Sequence, residues 1–116
     1  MTFTPTMLTG IVFPADPTAP VTAGEIDGSA DGVESLIDGG TEAVMLGAAL
    51  CLFVDAYGPH KELPPNGRAT RFADGYLPGF AGREMLRGTA VVVGLDPVTG
   101  ARVGVMLADA EAALLA

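Results

Sequence analysis

The sequence predicts a single α+β domain, a mostly antiparallel sheet of five or six short strands with two short helices on one face or at its ends. Three observations carry this. The chain has 116 residues, enough for one core and too few for two. Apolar residues make up 49% and charged residues 17%, so most of the chain has the means to bury a core rather than stay disordered. Sixteen glycines and nine prolines break it into short elements joined by turns, which argues against a helical bundle.

Residues 7–56 read as strands with one short helix among them. "MLTGIVFPAD" (7–16) is a strand stopped by Pro14 and Pro17. "PTAP" turns the chain, and "VTAGEID" returns as a second strand. After the glycine-rich "DGSADG", Asp31 reads as a cap with Glu34 at capping-box spacing. Val33, Leu36 and Ile37 then share a face, and Gly39 supplies the left-handed stop. "TEAVML" (41–46) and "ALCLFVDA" (49–56) have strand lengths, and their near-continuous hydrophobicity predicts central positions in the sheet.

The stretch 57–86 shows no sustained period and reads as one long loop rich in arginine and aromatic residues. Over 87–107 a hairpin is predicted. "TAVVVG" is strongly β because branched side chains fit a pleated surface, "DPVTG" turns, and "ARVGVML" returns. The tail 108–116, "ADAEAALLA", is a helix by propensity, with Asp109 and Glu111 in its first turn. Ala108 is a poor cap, which predicts fraying.

Four stretches then stand in a telling order: "VESLIDGGTEAVML", "LFVDAYGPHKELPPNGRAT", "GTAVVVGLDPVTG" and "LADAEAALL". Over roughly residues 21–116 this series resembles the domain of unknown function 3846 family. The resemblance implies a small accessory protein of phages, plasmids and actinobacterial genomes, often near genes that counter host defence. It brings no activity with it.

Charge narrows the function classes. A net charge of −8 and a pI near 4.2 disfavour general binding to nucleic-acid backbones or anionic membranes, which call for clustered cations. Cys51 is the one cysteine, so no disulfide forms within the chain, and a lone thiol in an apolar run behaves as a small hydrophobe. The first residues lack the basic region of a signal peptide, and no segment reaches the roughly 18 apolar residues of a membrane span. A soluble, cytoplasmic protein is expected, in the host cell if phage-encoded.

Within this acidic chain five of the six Lys and Arg residues, Lys61, Arg68, Arg71, Arg83 and Arg87, lie between 61 and 87. Pro64 and Pro65 stiffen the backbone there, and Asn66-Gly67 suggests a turn with positive φ. An arginine fork matches a carboxylate or a phosphate. One reading is therefore an anion site of Arg68, Arg71, Asn66 and His60, with Lys61 and Arg87 beside it. Tyr57, Phe72 and Tyr76 would be placed to stack on a ring. The alternatives are that these cations pair with acids such as Glu42 or Asp55, that the aromatics anchor the loop to the core, or that the segment is an oligomer interface.

No catalytic constellation accompanies them. His60 is the only histidine, and no nucleophile stands beside it in a known motif. One His and one Cys do not make a zinc site, and "GTAVVVG" lacks both the spacing and the lysine of a nucleotide loop. No metal, no cofactor and no enzymatic activity are expected. The leading expectation is a non-catalytic protein that binds and inhibits a host protein. A binder of an anionic small molecule such as a nucleotide signal, through 57–87, comes second, and a small enzyme third. One sheet with two small helices leaves apolar surface uncovered, which also suits a homodimer.

Overall fold

The computed structural model describes residues 7–116. The reading that no signal peptide is present falls on residues 1–6, outside the described residues. Six strands form one antiparallel sheet: β1 (Met7–Phe13), β2 (Thr22–Asp27), β3 (Thr41–Met45), β4 (Leu50–Asp55), β5 (Ala90–Leu95) and β6 (Arg102–Val103). The order is β2-β1-β5-β4-β3. β6 takes up β5 at Gly94 and Leu95, beyond the stretch Ala90–Val92 that pairs with β1. Gly94 is required there, because a Cβ would stand 2.6 Å from the Gly104 carbonyl oxygen. The α+β fold read from sequence is the one observed.

Both faces of the sheet's central strands are covered, and the strands show it in a period of two. Ile11, Phe13, Leu50, Leu52, Val54, Ala90 and Val92 point to one face, where α2 (Gly67–Tyr76), a 3-10 turn (Phe80–Gly82) and α3 (Leu107–Leu114) pack. Leu8, Cys51, Phe53, Val91 and Val93 point to the other, beneath α1 (Ala30–Ile37). Arg102 closes that second face. Its guanidinium lies 4.6 Å from the centre of the Phe53 ring and donates to the Gly28 carbonyl.

Several local expectations are corrected. α1 is capped by the Ser29 hydroxyl, which accepts from the Gly32 amide, and not by Asp31. The left-handed residue that ends it is Asp38, at φ 64°, one place before the glycine expected to do so. Val33 and Ile37 are buried as read, but Leu36 turns outward. β3 is an edge strand, not a central one, and Glu42, Ala43 and Met45 in it are exposed. β4 is central and every residue of it is buried.

The largest correction concerns 57–86. It is not one loop, because it holds α2 and the 3-10 turn, so the domain has three helices rather than two. Asn66 does not begin a turn with positive φ. Its φ is −113°, and its side-chain oxygen accepts from the Ala69 amide as the N-cap of α2. Gly67 is simply the first helical residue. Ala69, Thr70, Phe72 and Ala73 follow on one buried face at helical spacing.

Candidate functional site

The cations gathered in 61–87 are mostly spent inside the fold. Arg68 stands in the first turn of α2, where the helix dipole disfavours a positive charge. Three hydrogen bonds offset this. Its guanidinium donates to the carbonyls of Ala19 at 2.7 Å and of Pro14 and Asp16 at 2.9 Å each. It thus holds the β1–β2 turn against α2, and it faces backbone rather than a ligand. Arg68→Ala is expected to cost about 2 kcal/mol, and Arg68→Lys to recover less than half, because an ammonium lacks the fork that spans three carbonyls. Urea unfolding of the two variants checks this, and a lysine variant as stable as the parent would contradict it.

Arg87 donates to the Leu63 carbonyl at 3.0 Å. Lys61 pairs with Asp55 at 2.7 Å, the one ion pair among the described residues. Of the acidic partners expected for the arginines, only Asp55 is engaged, and by the lysine. Its other oxygen accepts from the Tyr57 amide at 2.8 Å. The Lys61 hydrogen bond first, and the Tyr57 amide second, hold the Asp55 carboxyl below the usual carboxylate value in spite of its burial.

A depressed carboxylate stabilises the fold above the unfolded value of about 3.9 and loses that contribution as pH falls through the lower folded value. Asp55→Asn is therefore expected to weaken the protein at pH 7 and to stand closer to the parent at about pH 3, where the unfolded-state carboxyl is already largely protonated. The effect is modest, about 1 kcal/mol, since Lys61 is 41% exposed and solvent screens the pair. Unfolding curves at both pH values test it, and an equal gap at both would count against the assignment.

Asn66 is the hub of this region and is buried. Beyond its cap bond, its side-chain amide donates to the carbonyls of Phe13 and Gly88 at 2.9 Å each. It ties α2, the end of β1 and the approach to β5 together, and no hydrogen-bonding capacity is left facing solvent. Phe72 is buried as well, its ring 5.2 Å from that of Phe13 and 5.1 Å from that of Tyr76. His60 and Tyr57 stand exposed on the turn after β4. The residues read as one anion site thus do not meet in one cavity.

Arg71, like Arg83, differs from Lys61, Arg68 and Arg87. Among the described residues it makes no ion pair and no hydrogen bond, and its guanidinium lies back along α2 over Gly67. It edges a groove of about 460 Å³ between α2 and α3, whose walls include Phe72, Gly75, Tyr76, Ala112 and Leu115. The Tyr76 hydroxyl donates a short hydrogen bond to Asp109 and so ties the two helices. Burial first, and the neighbouring carboxylate second, push the Tyr76 pKa well above that of an ordinary phenol.

α3 itself is apolar on both sides. Ala110 and Ala113 face the core, while Met106, Leu107, Leu114 and Leu115 face outward, Leu107 75% and Leu115 88% exposed. No side chain caps its start at Met106. Sequence reasoning missed this surface. The signal was present as "MLADAEAALLA", in which more apolar residues stand than one core-facing stripe can take.

A family model described as domain of unknown function (DUF3846) matches residues 8–110. The chain belongs to this family. Comparison with curated proteins and with solved structures finds no match to it. In this member of the DUF3846 family the match takes in β1 from Leu8, the other five strands, α1 and α2, and it ends inside α3. Among the described residues no helix is long and apolar enough to cross a membrane, and no three His, Cys, Asp or Glu side chains gather as metal ligands would.

Proposed function

We propose that this chain is a non-catalytic binding protein that docks on another protein through the outer face of α3. In the mobile-element setting implied by the sequence resemblance, its role is to inhibit a host protein, such as a component of defence. The exposure of Leu107, Leu114 and Leu115 beside Met106 carries the reading, because a lone helix with leucines turned to water gains by burying them. The chemistry-bearing side chains elsewhere support the absence of catalysis. Cys51 is buried and its thiol pKa is pushed up by burial, and His60 has no hydrogen-bonded partner among the described residues.

Charge selects the kind of partner. α3 carries Asp109 and Glu111 and no cation, and the chain as a whole is −8. A second copy would bring the same sign. The complementary surface has an apolar centre with Lys and Arg around it.

The decisive experiment compares the chain with its Leu107→Ser/Leu115→Ser variant. A host protein recovered by the parent should be purified and titrated against both. At about 1.5–3 kcal/mol per buried leucine, the variant should bind at least tenfold more weakly. Equal binding by parent and variant overturns the docking face. So does a parent that sediments as a dimer while the variant sediments as a monomer, because a second copy would then occupy α3.

A second reading keeps the anionic small molecule. Arg71 is the observation that favours it: of the cations read as that site, Lys61, Arg68 and Arg87 are engaged within the fold and Arg71 is not.

A further inference from the structure

We infer that the α2–α3 groove is a binding site for a monocarboxylate on an apolar body, the carboxylate on Arg71 and the body over Gly75 against Phe72, Tyr76 and Leu115. The inference deepens the second reading above, by naming the ligand class; it shares Leu115 with the proposed docking face, and its tests at Arg71 and Gly75 leave that face unaltered.

Three observations converge on it. Gly75 lies within α2, where glycine is costly to a helix, and neither crowding nor backbone conformation demands it. No atom lies within 4 Å of where its Cβ would stand. The missing side chain leaves the floor of the groove open. Arg71, one helical turn earlier on the same side of α2, is a cation with neither an ion pair nor a hydrogen bond among the described residues, and it stands on the groove. Leu115, on the opposite wall, is 88% exposed, so an apolar ligand laid along it would remove apolar surface from water.

The remaining chemistry sets the charge of the ligand. The Tyr76 proton is committed to Asp109, so the guanidinium is the side-chain donor the groove offers. One fork matches one carboxylate. A dianionic phosphate would meet a single cation, with Asp109 and Glu111 nearby on α3 and a net −8 behind them. The volume of about 460 Å³ lies in the range of small-molecule sites. A free amphiphilic acid and the C-terminus of a peptide ending in an apolar residue share this chemistry.

The test is a titration of the isotope-labelled full chain followed by amide chemical shifts. The ligands are octanoate, 1-octanol, AMP and a short acetylated peptide ending in leucine, with a free or an amidated C-terminus. Octanoate is expected to move the amides of 71–76 and 112–116 and to saturate, with octanol at least tenfold weaker. Arg71→Gln should bring octanoate down to the level of octanol. Gly75→Leu should abolish binding while leaving the thermal midpoint unchanged or raised, since it fills open space and improves helix propensity. Binding of the free-acid peptide alone would keep the site and assign its carboxylate to a protein terminus.

Octanol binding as tightly as octanoate, or an Arg71→Gln variant that binds octanoate like the parent, overturns the inference. If AMP binds through Arg71 and octanoate does not, the monocarboxylate is wrong while the anion reading stands. If none of the ligands shifts the spectrum, both fall. The contrast between octanoate and octanol is read on the unaltered chain, so it does not depend on any variant folding.

Discussion

Asn66→Ala is expected to lower stability by about 3 kcal/mol, the sum of a lost helix cap and two buried carbonyls deprived of their donor. Asn66 is buried, so water cannot replace what is removed. The side-chain oxygen holds the first turn of α2 through the Ala69 amide, and the side-chain nitrogen satisfies Phe13 and Gly88 across the sheet. Asn66→Asp separates these roles. Aspartate caps a helix as well as asparagine does, so a simple cap would tolerate the change. Here the new carboxylate would face two carbonyl oxygens in a buried site, and the loss at pH 7 should equal or exceed that of alanine. Acidification should return part of it, because a protonated carboxyl can donate one hydrogen bond. Urea unfolding of the three proteins decides. An aspartate variant close to the parent would show that the amide donor is dispensable.

Phe72→Ala should cost about 3–5 kcal/mol, the range for deleting a buried aromatic ring from a core. Phe72 lies between the rings of Phe13 and Tyr76, at 5.2 and 5.1 Å, among the side chains that join α2 to the sheet. Its removal leaves a void between α2 and the sheet. Phe72→Leu keeps most of the volume and should cost under about 1.5 kcal/mol. A ring held out as a platform for a ligand would behave otherwise. Its alanine variant would unfold at nearly the same denaturant concentration as the parent. Losses below about 1 kcal/mol for alanine would therefore move Phe72 out of the core.

The candidate site was legible in part. The crowding of cations and aromatics into 57–87 marks the segment that holds α2, but their purpose could not be read there. Arg68 looked available because the carbonyls that occupy it belong to residues 14, 16 and 19, some fifty positions away. Asn66 looked like a turn residue because Pro-Pro before it and Gly after it are turn companions. Whether an asparagine starts a turn or caps a helix depends on what the next residues can bury. Ala69, Phe72 and Ala73 supplied that face, but the interleaved Arg68, Arg71, Asp74 and Gly75 diluted its period.

The core of the sheet needed no such context. The run from Leu50 to Asp55 declares a covered strand by its near-continuous hydrophobicity, and the valines of β5 declare a strand by their branched side chains. The glycines and prolines likewise marked where most elements end, since their allowed backbone angles are a property of the residue itself. Tertiary structure alone decided that β3 lies at an edge, that α2 exists and covers one face, and that α3 turns its leucines to water. Each of these depends on which distant surface meets the segment. A local stretch carries its own torsional preferences and polarity, whereas burial belongs to pairs of surfaces, and the second member of each pair is elsewhere in the chain.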